Sequence, residues 1–173
     1  MTTARSKSLL DNTLEDAKKK LAKIKFAYER MPKVVRDTVR IKRDNTERIE
    51  FTNGSSISVG TTFRGDTPQF LHISEYGKIA ADSPERAREI RTGAFNAVAK
   101  SGKIAVESTA HGTGGEFYDL VQRAEATQKT GLELTPLDFK LHFFAWWMAG
   151  LFPPRQHRAD PAACPRLRQR TAL

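Results

Sequence analysis

Cysteine is nearly absent from the sequence: Cys164 is the one cysteine in 173 residues. That excludes an internal disulfide framework and fits a reducing compartment. No apolar run approaches the roughly 18 residues of a membrane span. The first twenty residues, "MTTARSKSLLDNTLEDAKKK", hold no apolar stretch of secretory type. A cytosolic protein is the expectation. His72, His111, His142 and Cys164 share no metal-ligand spacing, and Ser108 lacks the G-x-S-x-G setting of a hydrolase nucleophile. No G-x-x-x-x-G-K-[ST] occurs either, so no loop in these residues cradles β- and γ-phosphates and no lysine is placed to reach them. Internal repeats are also missing.

What is present is ordinary globular composition, with 39% hydrophobic and 28% charged residues in a length that suits about one domain. The net charge of +9 is uneven: +6 over 1–50, +1 over 51–100, −2 over 101–150 and +4 over 151–173. A basic flank suits a polyanion such as nucleic acid, and it equally suits a solvated lysine-rich helix face.

The clearest helix is predicted over 13–31, where Leu14, Ala17, Leu21, Ile24, Tyr28 and Met31 form one apolar stripe. Asn12 or Thr13 can cap it and Pro32 stops it, with Lys18, Lys19, Lys20, Lys23 and Lys25 on the other face. "ERIEFTNGSSISVG" reads as a hairpin about Asn53-Gly54, the preferred pair for a type I′ turn, set within the sheet or at its edge. Ser83-Pro84-Glu85 opens a second helix that buries Ala87, Ile90, Ala94 and Val98. "KIAVES" (103–108) is a short strand. A glycine-rich loop (112–115) follows it, and then a helix with Phe117, Leu120, Val121 and Ala124 inward. Alternation of Phe139, Leu141 and Phe143 reads as a last strand. The order is that of an α/β fold with a mainly parallel sheet.

Within that order, "FLHISEYGKIA" (70–80) poses the sharpest question: an apolar strand ends on an acid, Glu75. A solvated strand end is one answer. The other is functional, because α/β sheets bind ligands at the carboxyl ends of their strands. If the strands at 70–74 and 103–108 are neighbours, Ser74-Glu75 and Ser108-Thr109 emerge together. That sets a carboxylate able to polarise water beside hydroxyls able to sense an anion. The glycines of 112–115 would let backbone approach a phosphate, or serve only as a turn.

The pieces "TLEDAKK", "FTNGSSISVGTTFRGDTPQFLHISEYGKIA", "RAREIRTGAFNAV", "IAVESTAHGTGGEFYDL" and "FKLHFFAWW" occur in one order over roughly residues 13 to 147. In that order they resemble the ATPase domain of the large terminase subunit, the DNA-packaging motor of tailed bacteriophages. The resemblance implies a P-loop NTPase-like, RecA-type fold that is incomplete here, with the phosphate-loop strand missing upstream and the nuclease domain missing downstream. It places Glu75 on the water-activating position of the Walker B strand. Ser74 falls on the metal-associated position, where the family carries an acid. Ser108, Thr109 and Gly112 fall on the coupling motif that links phosphate loss to movement. Arg64, in an Arg-Gly shared with these ATPases, becomes a phosphate or subunit contact, or else a loop arginine. ATP and Mg²⁺ are the implied cofactors of the intact family. Double-stranded DNA, the small terminase subunit, the portal protein and further copies of the chain are its implied partners, in the cytoplasm of a bacterial host.

After "WWMAG" the composition changes. Residues 151–173 hold four of the eight prolines, five arginines and no lysine. The division expected is a partial ATPase domain over 1–147 and a basic Pro/Arg-rich tail over 148–173, disordered or translated out of frame. Trp146 and Trp147 read as closing a core beside Phe143 and Phe144 rather than stacking on bases. Two rival readings stand: a small basic DNA-binding protein without catalysis, and a non-functional prophage remnant.

Overall fold

The computed structural model describes residues 4–62 and 67–145. Arg64, Trp146, Trp147, Cys164 and the whole basic tail lie outside them.

A six-stranded sheet in the order β2-β3-β4-β1-β5-β6 organises the chain. Its strands are β1 (Ser6–Leu10), β2 (Ile41–Asp44), β3 (Arg48–Phe51), β4 (Ser56–Gly60), β5 (Phe70–Ile73) and β6 (Lys103–Val106). From β4 through β1 and β5 to β6 every pairing is parallel, while β2, β3 and β4 form an antiparallel meander. The expected hairpin is thus internal to the sheet. Among the described residues, nothing pairs with the outer side of β6.

β1 is absent from the sequence reading, and its composition explains why. "SKSLL" shows two apolar residues, too few for a periodic signal, yet they serve opposite faces. Leu9 joins Ala17, Leu21, Ile49 and Val59 beneath α1 (Leu14–Glu29). Leu10 joins Leu71, Ile73, Tyr76, Ile79 and Ala87 on the other face. Two cores result, separated by the sheet. Each fully buried aliphatic side chain contributes about 1.5–3 kcal/mol. β1 lies inside the sheet, paired with β4 and β5, and its buried Ser8 is satisfied there, the hydroxyl lying 3.1 Å from that of Ser58.

α1 starts as the sequence indicates. Thr13 Oγ1 accepts from the Asp16 N–H at 3.1 Å, and its hydroxyl bonds the Asp16 carboxylate, holding that carboxyl below its usual range. After Pro32 a short α2 (Lys33–Thr38) follows. The second face is covered by α3 (Tyr76–Asp82) and α4 (Pro84–Glu89), then a π-helical turn (Ile90–Ala94) and α5 (Phe95–Ala97). α6 (Glu116–Lys129) packs on α3 and α4. Ala87, Ile90 and Ala94 are buried as expected, but the Ser83 side chain makes no capping bond.

Two sequence expectations need correcting. The turn at Asn53-Gly54 is not type I′: Gly54 has φ +80°, whereas Glu75 is the one non-glycine with positive φ among the described residues. Instead the Gly54 N–H bonds Phe51 O and the Phe51 N–H bonds Ser55 O, and the Asn53 side chain accepts from the Ser55 N–H. A loop with only its last residue left-handed needs one glycine, not an adjoining Asn in the same region. Second, residues 139–143 form no strand. Phe139 packs against Phe95 (centroids 5.7 Å apart), and the Leu141 N–H is taken by the Gln128 side chain at 2.5 Å, so its backbone partner is a helix side chain rather than a sheet. No helix among the described residues is long and apolar enough to cross a membrane.

Candidate functional site

The carboxyl ends of β1, β5 and β6 meet at one edge. Ile73 pairs with Val106, so Ser74 and Glu75 leave the sheet beside Glu107 and Ser108. The ladder runs past the strands proper: the Glu107 N–H bonds Ile73 O at 2.9 Å and the Tyr76 N–H bonds Glu107 O at 3.2 Å. The sequence expectation that these two strand ends are neighbours is met.

Glu75 is half-buried and sits in left-handed backbone, φ 56° and ψ 37°, immediately before α3. That conformation costs a side-chain-bearing residue about 1–3 kcal/mol and is tolerated where the surroundings impose it. Ser74 before it is tied to β1 through its N–H, and Tyr76 after it is buried with its hydroxyl on Ala87 O at 2.9 Å. Burial pushes the Tyr76 phenol up to about 12. The chain is thus pinned on both sides of Glu75, while no hydrogen bond or ion pair holds the Glu75 carboxylate among the described residues.

Ser74 is different. It is 1% exposed, accepts from the Lys20 ammonium and donates to Glu107 Oε1 at 2.5 Å. Lys20 also reaches Asp11 Oδ2 at 2.5 Å, and the other Asp11 oxygen accepts from the Asn12 N–H at 2.7 Å. His72, on the same face as Ser74, lies 3.5 Å from Glu107 Oε1. Lys20 therefore belongs to this edge, rather than to the polyanion contact or the solvated lysine face between which the sequence left the choice open. Of the other lysines there, Lys18 pairs with Glu47, Lys19 with Glu15 and Asp16, and Lys25 with Asp44.

The 108–112 loop docks on α3 at Gly77. A Cβ at Gly77 would lie 2.8 Å from Ser108 Oγ, 3.2 Å from Phe117 Cδ1 and 3.2 Å from Thr109 O, so only glycine fits there. The Ser108 hydroxyl is buried at this contact with no hydrogen-bond partner among the described residues. Gly112 has φ +77° with open space where a side chain would go, so the backbone conformation rather than crowding favours glycine. It lines a shallow hollow with Gly77, His111, Phe117, Tyr118 and Val121. The first turn of α6 carries Glu116 and Asp119, and Glu116 pairs with Arg91 at 2.9 Å, so acids already complement the positive end of that helix.

Sequence reasoning missed three residues of this edge. Asp11, Lys20 and Arg86 appear in none of its site assignments. Arg86 reaches from α4 to the ends of β1 and β4, donating to Asp11 O (2.5 Å), Asn12 O (2.8 Å) and Thr61 O (3.1 Å); burial lowers its pKa below the usual value. A signal existed for Asp11. "LLD", "HISE" and "AVES" are all apolar pairs or runs followed within two residues by an acid.

Among the described residues, no group of three or more His, Cys, Asp or Glu is arranged to hold a metal ion. At Ser74 an ammonium already occupies the place a cation would take, and the donor set does not fit Mg²⁺.

No protein-family model matches the sequence, and no curated protein matches it. Among solved structures the chain is similar to the crystal structure of the large terminase of bacteriophage HK97, with a TM-score of 0.55 and 15% identity. The match covers 75% of this chain and 27% of that one. The mixed α/β architecture, a mostly parallel six-stranded sheet with flanking helices, is therefore a terminase-like fold.

Proposed function

We propose that these residues are the second half of the ATPase core of a phage DNA-packaging motor of the large-terminase kind. In that motor ATP hydrolysis drives double-stranded DNA into a capsid, with the small subunit, the portal and further copies of the chain as partners, in the host cytoplasm. The observation that carries the reading is Glu75: a half-buried carboxylate with no bonded partner among the described residues, held in strained backbone at the carboxyl end of a parallel strand. Such a group can accept a proton from water and orient it for attack, and catalysis of phosphoryl transfer is largely positioning. Ser108 and Thr109 contact α3 two residues beyond Glu75, so a shift of their loop on phosphate loss would reach the helix that Glu75 begins. Gly112 supplies the loop with its left-handed turn. Arg64 is assigned to a phosphate or a neighbouring subunit on the sequence resemblance.

ATP would enter this reading as substrate, and its β- and γ-phosphates have no cradle in this sequence. Assayed alone, the 173-residue chain is therefore expected to show no ATP turnover above background. Robust hydrolysis by the purified chain would overturn the assignment of a half-core. In an intact packaging ATPase carrying this segment, Glu75→Gln should leave ATP binding intact while lowering turnover by about 10²–10⁴. Normal turnover in that variant would remove Glu75 from the role.

A further inference from the structure

The resemblance sets a divalent cation beside Ser74, and the residues that surround Ser74 disagree with it. Mg²⁺ demands six oxygen ligands in near-octahedral array at about 2.1 Å and gives up water reluctantly. Here the oxygens are already committed. The Ser74 hydroxyl accepts from Lys20 and donates to Glu107; Asp11, with 2% of its side chain exposed, divides its two oxygens between Lys20 and the Asn12 N–H. The space they enclose contains a positive charge.

We infer that Lys20 is the resident cation of this strand edge, seated on Asp11 and Ser74 with Glu107 behind, and that it excludes a divalent ion from Ser74. Three features support a permanent seat. Asp11 is buried at the end of the central strand, so withdrawal of the ammonium would strand a carboxylate with little access to water. Lys20 rises from α1 one residue before Leu21, which is 1% exposed in the core, so its backbone is fixed against the sheet. Arg86 donates to the Asp11 carbonyl, which holds the carboxylate's own backbone in place. Lys20 thus acts as a positioning residue: it orients the Ser74 hydroxyl, and Ser74 is the last fixed point before the strained turn at Glu75. A metal arriving with nucleotide would be held by other atoms.

This inference takes from the functional reading only the expectation of a metal at Ser74, and its test needs no nucleotide, so either can fail without the other. The full chain is titrated with Mn²⁺ to about 1 mM, enough to fill weak oxygen sites, while paramagnetic broadening of backbone amides is followed by NMR. The expected result is no saturable broadening at Asp11, Ser74 or Glu107 in the wild type or in Lys20→Arg. Lys20→Met, which keeps the stem and removes the charge, should gain saturable broadening at those three amides. Saturable broadening of the wild-type amides that Glu107→Gln abolishes would overturn the inference, as would a folded Lys20→Met chain that gains no site. Should Lys20→Met fail to fold, the wild-type titration decides by itself, because metal entry at the native seat is what the inference forbids.

Discussion

The two strand ends at the centre of the candidate site carry the same pair of residue types in opposite order: Ser74-Glu75 after β5 and Glu107-Ser108 after β6. Their circumstances are reversed too. After β5 the serine is buried and both accepts and donates, while the glutamate has no partner among the described residues; after β6 the glutamate bonds Ser74 and approaches His72, while the buried serine hydroxyl has no partner among those residues. Composition alone makes the two glutamates equal candidates for acid–base work. The structure separates them by their partners: Glu107 Oε1 accepts from Ser74 and lies near His72, whereas no hydrogen bond or ion pair among the described residues holds either oxygen of Glu75. Their backbones differ as well: Glu75 is left-handed, and Glu107 is not.

Substitutions can break or sharpen that contrast. The largest effect should come from Glu75→Gln in an intact motor, with the loss in turnover given above, whereas Glu107→Gln should cost far less; equal losses in steady-state assays would erase the distinction between the two ends. Next, Asp11→Asn should destabilise the fold by about 3 kcal/mol in urea denaturation, because it leaves the Lys20 ammonium against a neutral group beside a buried edge. A loss below about 0.5 kcal/mol, the level of an ordinary surface change, would mean that the ammonium does not depend on that seat. Gly77→Ala forces a Cβ onto Ser108 Oγ and should cost about 1–3 kcal/mol, the range of overpacking. Adding Ser108→Ala should recover part of that, and a double-mutant cycle with no coupling would deny the contact. Alone, Ser74→Ala should cost about 1–2 kcal/mol by stripping partners from Lys20 and Glu107, while Ser108→Ala should be near neutral, since its hydroxyl has none to lose. Opposite in sign is Glu75→Gly, expected to raise stability by about 1 kcal/mol through relief of left-handed strain while abolishing turnover. A destabilised Gly variant would show that the carboxylate, not the backbone, holds that turn.

Much of this arrangement was legible in the sequence, and the omissions share a cause. α1, the β3–β4 hairpin, β5, β6, the helical stretch opening at Ser83 and α6 announce themselves in the sequence, whereas α3, directly after Glu75, does not. β1 and β2 do not: β1 is a central strand with two leucines split between faces, and β2 has Ile41 alone beside "KRD". The alternation at 139–143 misled in the other direction, because period two marks extended backbone and says nothing of whether a strand edge lies within reach. The same limit governs the site. Glu75 and Ser74 were visible as an acid after an apolar run, whereas Lys20 stood among five lysines of one helix and was indistinguishable from its neighbours until Asp11 was known to lie beneath it.

The close approach at Gly77 has a mechanical consequence. Most contacts between a loop and a helix run through long side chains, whose rotamers absorb small displacements as springs of low stiffness. Here the bare backbone of α3 meets a serine hydroxyl and a main-chain carbonyl, with an aromatic edge closing the third side. Such a joint has few side-chain torsions to absorb a shift. A displacement of the 108–109 segment is therefore expected to reach α3 with little loss, the two segments being geared rather than sprung.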